Sequence, residues 1–187
     1  MTVQLLRRKF TVEQYHKMLE SGILTEDDRV ELIRGEIIEM SPIGTKHAAC
    51  VNRLINLLVQ LLGKRVIVAA QNPITLNNNS QPQPDVALLK PRDDFYATAH
   101  PQPQDIFLLI EIADSTIEYD REQKIPLYAE GNIIEVWLVD INEQIIEVYQ
   151  QPTAAGYQLM QKFASGQTLS IPGFSDVNIS VNKILSH

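Results

Sequence analysis

The spacing of hydrophobic positions at the start of the chain predicts a helix followed by a hairpin. Thr11 and Gln14 have the spacing of a capping box, and the segment Val12–Glu20 that follows reads as a short helix. The segment VELIRGEIIEM places two short apolar runs on either side of Arg34 and Gly35, a pattern typical of a β-hairpin.

The next segment has the period of a longer amphipathic helix. Thr45 is placed to cap this helix, and the apolar pattern ends at Gly63. The apolar positions that recur at helical spacing are Val51, Leu54, Ile55, Leu58, Leu61 and Leu62. One face of this helix is therefore expected to lie in the core.

Near-continuous apolar runs predict the strands of a central sheet. These runs are RVIVAA (65–70), Asp85–Leu89, Asp105–Ala113 and Ile133–Asp140. Between the last two, DSTIEYDREQKIPLYAEG predicts a helix, with Pro126 expected to kink it or to begin a new first turn. After a tight turn at Asn142, the segments QIIEVYQ, YQLMQKF and TLSIP predict further short strands.

This order of elements predicts an α/β fold with a mixed central sheet flanked by helices and with added β-hairpins at both ends. The whole chain, residues 1–187, is expected to form one domain with its core at about 45–140. The N-terminal helix and hairpin occupy 10–40, and the C-terminal strands occupy 144–181. A hydrophobic fraction of 44% in 187 residues is sufficient for such a core.

Charge and cysteine content limit the setting of the protein. The net charge is −7, from 23 acidic and 16 basic residues, which argues against an abundant non-specific nucleic-acid binder. A site that works through bound cations remains compatible with this charge. The single cysteine, Cys50, cannot form an internal disulfide and is expected in the core. With no apolar run near the roughly 20 residues of a membrane span and no signal-peptide pattern, a cytoplasmic location is expected.

Three polar residues are out of place in a purely structural core. Asp85 opens one predicted central strand, Glu111 interrupts the apolar run of the next, and Lys124 lies on the following helix. Strand alternation puts Glu111 on the face of Leu109 and Ala113, where burial of an unpaired carboxylate is costly. A divalent cation would offset the repulsion of two neighbouring carboxylates, and an all-oxygen ligand set favours Mg²⁺ or Mn²⁺.

Structural explanations exist for each of these residues taken alone. Asp85 alone is explained slightly better as a residue that starts a strand than as a metal ligand. Glu111 is explained by a salt bridge with Lys124 or Arg121 that holds the helix on the sheet. The i, i+4 spacing of Asp120 and Lys124 is explained by an exposed ion pair on the helix. The combination of the three residues is what favours a functional site.

Pro84-Asp85 on one strand, Glu111 on the next and Lys124 on the following helix resemble, in this order, the motif of the PD-(D/E)XK nuclease superfamily. More closely, the chain resembles the Uma-type putative restriction endonuclease family. The segments that match are VELIRGEIIEMSP with a following His47, PDVALL, LLIEIADST, DREQKIPLYAEG and IIEVWLVD. The lysine of the superfamily normally follows the glutamate by two residues, where this chain has Ala113, and Lys124 looks like its migrated form.

The resemblance implies a restriction endonuclease-like fold and metal-dependent hydrolysis of phosphodiester bonds in DNA. In that interpretation Asp85, Glu111 and the backbone carbonyl of Ile112 bind Mg²⁺ or Mn²⁺. Lys124 positions or helps to deprotonate a water and holds a non-bridging phosphate oxygen. By analogy, a homodimer is expected, because two active sites can cut both strands of a duplex.

The further residues expected to support the site or contact the substrate in this interpretation are Glu36, His47, Asp120 and Tyr128. Glu36 and His47 match the N-terminal pattern of the family and are expected at the edge of the same cleft, and Tyr128 is expected to pack against the Lys124 amine. The residues for which a structural role is expected are His16, His100, His187, Trp137 and Tyr149. Two other functions remain open: a catalytically silent interaction module with the nuclease fold, and a nuclease acting on RNA or on modified or branched DNA.

Overall fold

A computed structural model describes residues 7–25 and 27–185 of the chain. Its first part contains helix α1 (Val12–Glu20), the hairpin of β1 (Val30–Ile33) and β2 (Glu36–Glu39), and helix α2 (Thr45–Leu62). The sheet strands are β3 (Ile67–Ala70), β4 (Val86–Leu89), β5 (Ile106–Ala113), β6 (Glu135–Asp140), β7 (Ile145–Thr153) and β8 (Gly156–Phe163). The C-terminal part contains β9 (Thr168–Ile171), β10 (Phe174–Ser180) and helix α5 (Val181–Leu185).

Strands β3 to β8 form one mixed six-stranded sheet in sequence order. Only the β5–β6 pair is parallel within this sheet, because the helical connection between these two strands returns the chain to the same end of the sheet. The pairs β1–β2 and β9–β10 are separate antiparallel hairpins. The predicted mixed sheet with additional hairpins is therefore confirmed.

The two faces of the sheet are covered by different helices. Leu108, Ile110 and Ile112 pack in one cluster with the apolar face of α2, which includes Leu54 and Leu58. Residues of opposite parity in β5, including Leu109 and Ala113, pack in a second cluster with the helix that follows β5. This confirms the predicted alternation and assigns Glu111 to the second face.

The helical segment after β5 is continuous but irregular. It consists of α3 (Ile117–Tyr119), a π-helical turn (Asp120–Lys124) and α4 (Ile125–Glu130). Pro126 lies in the first turn of α4, as predicted. A proline ring clashes with the carbonyl four residues earlier in a regular α-helix, and the wider turn that precedes Pro126 relieves this clash.

Several local predictions were wrong in detail. Gly44 rather than Thr45 occupies the N-cap of α2, and no side chain caps it. Arg65 belongs to a 3-10 turn, and β3 is half-buried rather than buried because it pairs only with β4 at the edge of the sheet. Helix α5 was not predicted, and its Ile184 carbonyl accepts a hydrogen bond from Arg53 of α2 at 2.8 Å.

Residues for which a structural role was predicted mostly lie in the interior. Trp137 and Tyr149 are buried in β6 and β7, and Cys50 is buried on α2. His16 Nε2 is hydrogen-bonded to Gln81 Oε1 at 2.8 Å. The ring of His100 lies 6.1 Å from that of His16, and His187 lies outside the described residues. In the described part of the chain, no helix combines the length and apolarity needed to span a membrane.

Candidate active site

The ends of β4 and β5 place Asp85 and Glu111 side by side. The two strands are antiparallel, with Val86 opposite Ile110, so Asp85 just before β4 stands beside the C-terminal end of β5. The Asp85 backbone N–H lies 3.3 Å from Glu111 Oε2, and the backbone N–H of Ile112 donates to Asp85 Oδ2 at 2.9 Å. The register of the sheet therefore holds both carboxylates in place.

Lys124 reaches this pair from the π-helical turn on the same face of the sheet. Its Nζ lies 3.2 Å from Glu111 Oε1 and 3.4 Å from Glu31 Oε2. The side chain of Lys124 is only 8% exposed, and those of Glu31 and Glu111 are each 3% exposed. The structure thus brings together Asp85, Glu111 and Lys124, as the sequence predicted.

His47 and Glu36, the two N-terminal site predictions, have different positions. His47 lies in the first turn of α2, and its Nε2 is hydrogen-bonded to Asp85 Oδ2 at 2.9 Å. This hydrogen bond raises the pKa of His47, against the opposing effect of burial. Glu36 lies outside the cleft on β2 and accepts a hydrogen bond from Lys9 at 2.7 Å instead. The hairpin therefore contributes a different carboxylate to the site.

That carboxylate is Glu31 of β1, which the sequence reasoning missed. Glu31 is 2% exposed, and its Oε2 accepts the backbone N–H of Gln83 at 3.0 Å. Glu31 is the charged residue within a strand whose four positions are all buried in the structure, and the local sequence of the hairpin does not reveal this burial. A buried glutamate in such a strand requires a cation or hydrogen-bond donors, which Lys124 and Gln83 supply.

Asp120 and Tyr128 complete the surroundings of Lys124. The Tyr128 hydroxyl donates a hydrogen bond to Glu111 Oε1, and Asp120 Oδ2 accepts one from the Thr116 hydroxyl at 2.7 Å. Counted over the whole residue, Asp120 is 5% exposed and Lys124 is 6% exposed, so the predicted exposed ion pair between them is wrong. Both groups lie in the π-helical turn, whose Lys124 contacts Glu111 of the sheet.

The ion pair proposed as a structural explanation for Glu111 is present with Lys124 but absent with Arg121. Arg121 instead donates two hydrogen bonds to Glu147 of β7, at 3.1 and 3.2 Å. Glu111 and Glu147 flank Leu138 of β6 in register, so Lys124 and Arg121 reach the same face of the sheet, and each is anchored by a buried carboxylate.

The polar residues at the site also include Gln71, which follows β3 and was missed in the sequence. Gln71 has a φ of +53°, which is rare for a residue with a side chain, and its backbone N–H donates to the Asp85 carbonyl at 3.1 Å. Its side-chain amide lies 3.4 Å from Asp85 Oδ1. The sequence carries no signal for this conformation, because nothing in QNPIT distinguishes Gln71 from an ordinary loop residue.

Negative charge exceeds positive charge around Lys124. Burial raises the pKa of Glu111 to about 8, although the Lys124 amine lowers it. Burial also raises the pKa of Asp120, and Lys124 again opposes the shift. Burial alone would lower the pKa of Lys124, but the surrounding carboxylates, with Glu111 first, raise it above its ordinary value. Lys124 is therefore a stable cation among acidic groups.

These residues line a cleft of about 580 Å³. The segment between β2 and α2, which includes Ile43, forms one wall, and α3 with the π-helical turn forms another. Further carboxylates, among them Glu39, Asp114 and Glu118, increase the negative charge of the lining. A phosphodiester entering this cleft would be repelled unless cations offset that charge.

The donor set fits a hard divalent cation. Asp85 Oδ1 and Glu111 Oε2 have only long contacts, of 3.4 and 3.3 Å, whereas Asp85 Oδ2 already accepts two shorter hydrogen bonds. Within residues 7–25 and 27–185, no three His, Cys, Asp or Glu side chains form a ready-made metal cluster. Mg²⁺ usually takes one or two carboxylates and keeps several waters, so a pair of carboxylates matches its requirements.

Comparison with known proteins identifies the family of the chain. The sequence profile of the Uma2 family, described as putative restriction endonuclease, matches residues 12–182. The chain belongs to the Uma2 family. Family membership confirms the resemblance found in the sequence and supports a nuclease. The match includes Glu31, Asp85, Glu111 and Lys124, so the whole candidate site lies within the family domain.

A solved structure shares the fold of this Uma2 chain. It is the crystal structure of a putative nuclease belonging to DUF820 from Anabaena variabilis ATCC 29413, with a TM-score of 0.75 and 20% sequence identity. The alignment covers 95% of this chain and 98% of that chain. At this identity the likeness concerns the fold, and it confirms the predicted nuclease-like architecture. No curated protein matches the chain.

Proposed function

We propose that this Uma2 protein is a Mg²⁺- or Mn²⁺-dependent endonuclease that hydrolyses phosphodiester bonds of DNA. The observation that carries the proposal is the placement of Asp85 beside Glu111 with the Lys124 amine 3.2 Å from Glu111 Oε1. These groups line an accessible cleft in a chain of a nuclease family. Carboxylates for a metal and a cation for the phosphate are the requirements of metal-assisted phosphodiester hydrolysis.

The residues that would hold the metal are Asp85, Glu111 and the backbone carbonyl of Ile112. A bound Mg²⁺ or Mn²⁺ would lower the pKa of a coordinated water and offset the charge that develops on the phosphate. His47 and the Ile112 N–H hold Asp85 Oδ2, which fixes the orientation of that carboxylate. Tyr128 donates to Glu111 Oε1 and fixes the second carboxylate. Such hydrogen bonds limit the reorganisation needed when a ligand binds.

Lys124 acts as a positive charge rather than as a base in this proposal. The carboxylates around its amine raise its pKa, so the amine stays protonated near neutral pH. A protonated amine can hold a non-bridging oxygen of the phosphate and stabilise charge in the transition state. Of the two roles considered for Lys124, positioning is therefore favoured over proton abstraction.

DNA is proposed as the substrate because the family is described as putative restriction endonucleases. A homodimer is proposed for the same reason, since two sites related by a two-fold axis can cut the two strands of a duplex. Sedimentation tests the dimer separately: a monomer at the concentrations used for cleavage would remove it without affecting the site.

A catalytically silent module is the second candidate function. It is favoured by one observation, the Lys124–Glu111 salt bridge, which stabilises buried groups whether or not the site binds a metal. Ala113, at the position of the usual lysine, is fully buried in the apolar cluster and contributes no amine. Activity measurements separate the two functions.

Cleavage of supercoiled plasmid tests the proposed function. The proteins to compare are the wild type, Asp85→Asn, Lys124→Met and the control Lys162→Met, with Mg²⁺, Mn²⁺ or EDTA. Lys162 is half-exposed and pairs with Glu147 outside the cleft, so its replacement controls for loss of one lysine. We expect the two site variants to lose about 100-fold or more in rate, because each removes an interaction with the reacting groups.

Each outcome of this assay has a distinct meaning. Metal-dependent nicking by the wild type and Lys162→Met alone would support the endonuclease. Equal nicking by all four proteins would identify a contaminant and remove the assignment. Cleavage of RNA or of branched DNA, with plasmid left intact, would keep the chemistry and change the substrate. Inactivity on every substrate would favour the silent module.

A further inference from the structure

Tyr119 has a hydroxyl group that no other residue satisfies. It is the last residue of α3 and lines the cleft, directly before the π-helical turn that carries Lys124. Its hydroxyl oxygen is buried and makes no hydrogen bond with any residue that the structure describes. A buried hydroxyl without a partner is unfavourable, so such a group is unusual in a folded protein.

The other tyrosines show how uncommon this arrangement is. The chain contains 6 tyrosines, and five of their hydroxyls donate a hydrogen bond to a protein oxygen. The acceptors are the Val30 carbonyl for Tyr15, the Lys90 carbonyl for Tyr96, Glu111 for Tyr128, Glu147 for Tyr149 and the Ile133 carbonyl for Tyr157. Tyr119 is the exception among them, and it is the tyrosine that lines the cleft.

The surroundings of Tyr119 keep its hydroxyl protonated. Burial, followed by the carboxylate of Glu31, raises the pKa of Tyr119 to about 12. The Lys124 amine is the next charged group to affect the hydroxyl, and it acts in the opposite direction. At neutral pH the group is therefore a neutral hydrogen-bond donor close to the cation of the site.

Two buried polar atoms of cleft residues have no hydrogen-bond partner among the described residues, the Tyr119 hydroxyl and His47 Nδ1, whereas the Lys124 amine and His47 Nε2 are engaged. The Lys124 amine is shared between Glu31 and Glu111, and His47 Nε2 is hydrogen-bonded to Asp85. Phosphate oxygens accept hydrogen bonds and cannot donate to the many carboxylates of the lining. The hydroxyl of Tyr119 can donate a hydrogen bond to a phosphate oxygen without breaking an existing hydrogen bond. Because the hydroxyl is neutral, it does not change the negative charge that the carboxylates offer to a metal.

We propose that Tyr119 is a substrate-contacting residue whose hydroxyl donates a hydrogen bond to a non-bridging oxygen of the scissile phosphate, beside Lys124. This inference rests on the proposed function and adds to it a donor that the sequence pattern did not indicate. The proton stays on the tyrosine throughout, and no bond other than the hydrogen bond is formed or broken at this residue.

The test replaces the hydroxyl alone. Tyr119→Phe keeps the ring, and Tyr157→Phe is a matched control whose lost hydroxyl donates to the Ile133 carbonyl away from the cleft. Three quantities are measured: kcat/KM for cleavage of a fluorescein-labelled DNA duplex with Mn²⁺, affinity for that duplex with Ca²⁺ by fluorescence anisotropy, and the Mn²⁺-induced shift in Tm.

We expect Tyr119→Phe to lower kcat/KM by about 10- to 100-fold, the range for a hydrogen bond to a charged group, and to weaken duplex binding. The Mn²⁺-induced shift in Tm should stay equal to that of the wild type, because the hydroxyl is not a metal ligand. Tyr157→Phe should stay within about twofold of the wild type in both functional assays.

The outcomes that would overturn the inference are separate from failure of the proposed function. Unchanged kcat/KM and unchanged duplex affinity in Tyr119→Phe would mean that the hydroxyl does not contact the phosphate. Loss of the Mn²⁺-induced shift would mean that Tyr119 acts on the metal site instead. If the wild type cleaves nothing, the proposed function fails, and the anisotropy comparison still decides whether Tyr119 contacts the phosphate. Absence of duplex binding by the wild type would overturn both.

Discussion

Replacing Arg121 by methionine should loosen the turn that positions Lys124. Arg121 Nε and Nη2 donate to the Glu147 carboxylate at 3.2 and 3.1 Å and tie the π-helical turn to β7. The Glu147 side chain is 1% exposed, whereas that of Arg121 is 38% exposed. Methionine preserves most of the aliphatic length of arginine and removes both hydrogen bonds.

The size of the effect follows from what remains around Glu147. Removal of one partner from a buried ion pair typically costs about 3 to 5 kcal/mol. Glu147 keeps a salt bridge to Lys162 at 3.0 Å and a hydrogen bond from Tyr149 at 2.5 Å, and Arg121 is partly solvated. We therefore expect a loss of about 2 kcal/mol in the free energy of unfolding at pH 7.

The loss should depend on pH in a defined direction. Burial opposes ionisation of Glu147, but hydrogen bonds from Arg121, Tyr149 and Lys162 outweigh it and lower its pKa. A carboxylate with a lowered folded-state pKa contributes stability above its unfolded pKa and loses it as the pH falls through the folded value. The difference between wild type and Arg121→Met should therefore shrink as the pH falls below the ordinary glutamate range toward the lowered pKa of folded Glu147.

Urea unfolding at pH 7 and at acidic pH measures both effects. Lys17→Met is a suitable control, because Lys17 and Glu13 form an exposed i, i+4 pair that contributes little to stability. A double-mutant cycle with Glu147→Gln should give a coupling energy of about 1 to 2 kcal/mol. Equal stability of Arg121→Met and wild type at pH 7, or a difference that does not change with pH, would refute this reasoning.

Three further predictions concern the core, the edge of the site and a buried carboxylate. The pKa of Cys50 is raised to about 11 by burial, so a thiol reagent at pH 8 should label the folded protein only at the rate of unfolding; rapid labelling would contradict this. Gln71 has a φ of +53°, so Gln71→Gly should be about 1 kcal/mol more stable than Gln71→Ala in urea unfolding, and equal stabilities would exclude strain at this position. Burial raises the pKa of Glu135, so its contribution is fully present below its unfolded pKa and is lost as the pH rises through the folded value. Glu135→Gln should therefore flatten the stability profile above the ordinary glutamate pKa, and an unchanged profile would contradict the assignment.

Local pattern was sufficient to predict the parts of the fold that depend on near neighbours. The capping box of Thr11 and Gln14, the hairpin at Arg34-Gly35 and the alternation of β5 all form as the sequence indicates. The alternation of β5 also placed Glu111 on the correct face. These features depend on hydrogen bonds within a few residues or on the two-residue period of a strand.

Residues that enter the site from a distance could not be assigned in the same way. Glu31 and Glu36 lie in one hairpin with similar local sequence, and only the docking of that hairpin decides which carboxylate is buried. This docking depends on contacts with the segment before β4, such as the bridge between Leu32 and Gln81. The sequence pattern selected Glu36, whereas the structure places Glu31 beside Lys124.

The irregular helix after β5 limited prediction in another way. A regular helix places Asp120 and Lys124 one turn apart on an exposed stripe, which led to the expectation of a surface ion pair. The π-helical turn widens this region and buries both side chains. Pro126 indicated an irregular helix but not that a π-helical turn would precede it. The unpartnered hydroxyl of Tyr119 can be recognised only when the packing of the turn is known.

A crystal structure with Mn²⁺ tests the central claim most directly, because anomalous scattering locates the ion independently of activity. We predict one peak between Asp85 and Glu111, within coordination distance of both carboxylates, and its loss in Asp85→Asn crystals treated in the same way. A site without an anomalous peak at saturating Mn²⁺, with Lys124 still paired to Glu111, would contradict the assignment of these residues to a metal-dependent nuclease.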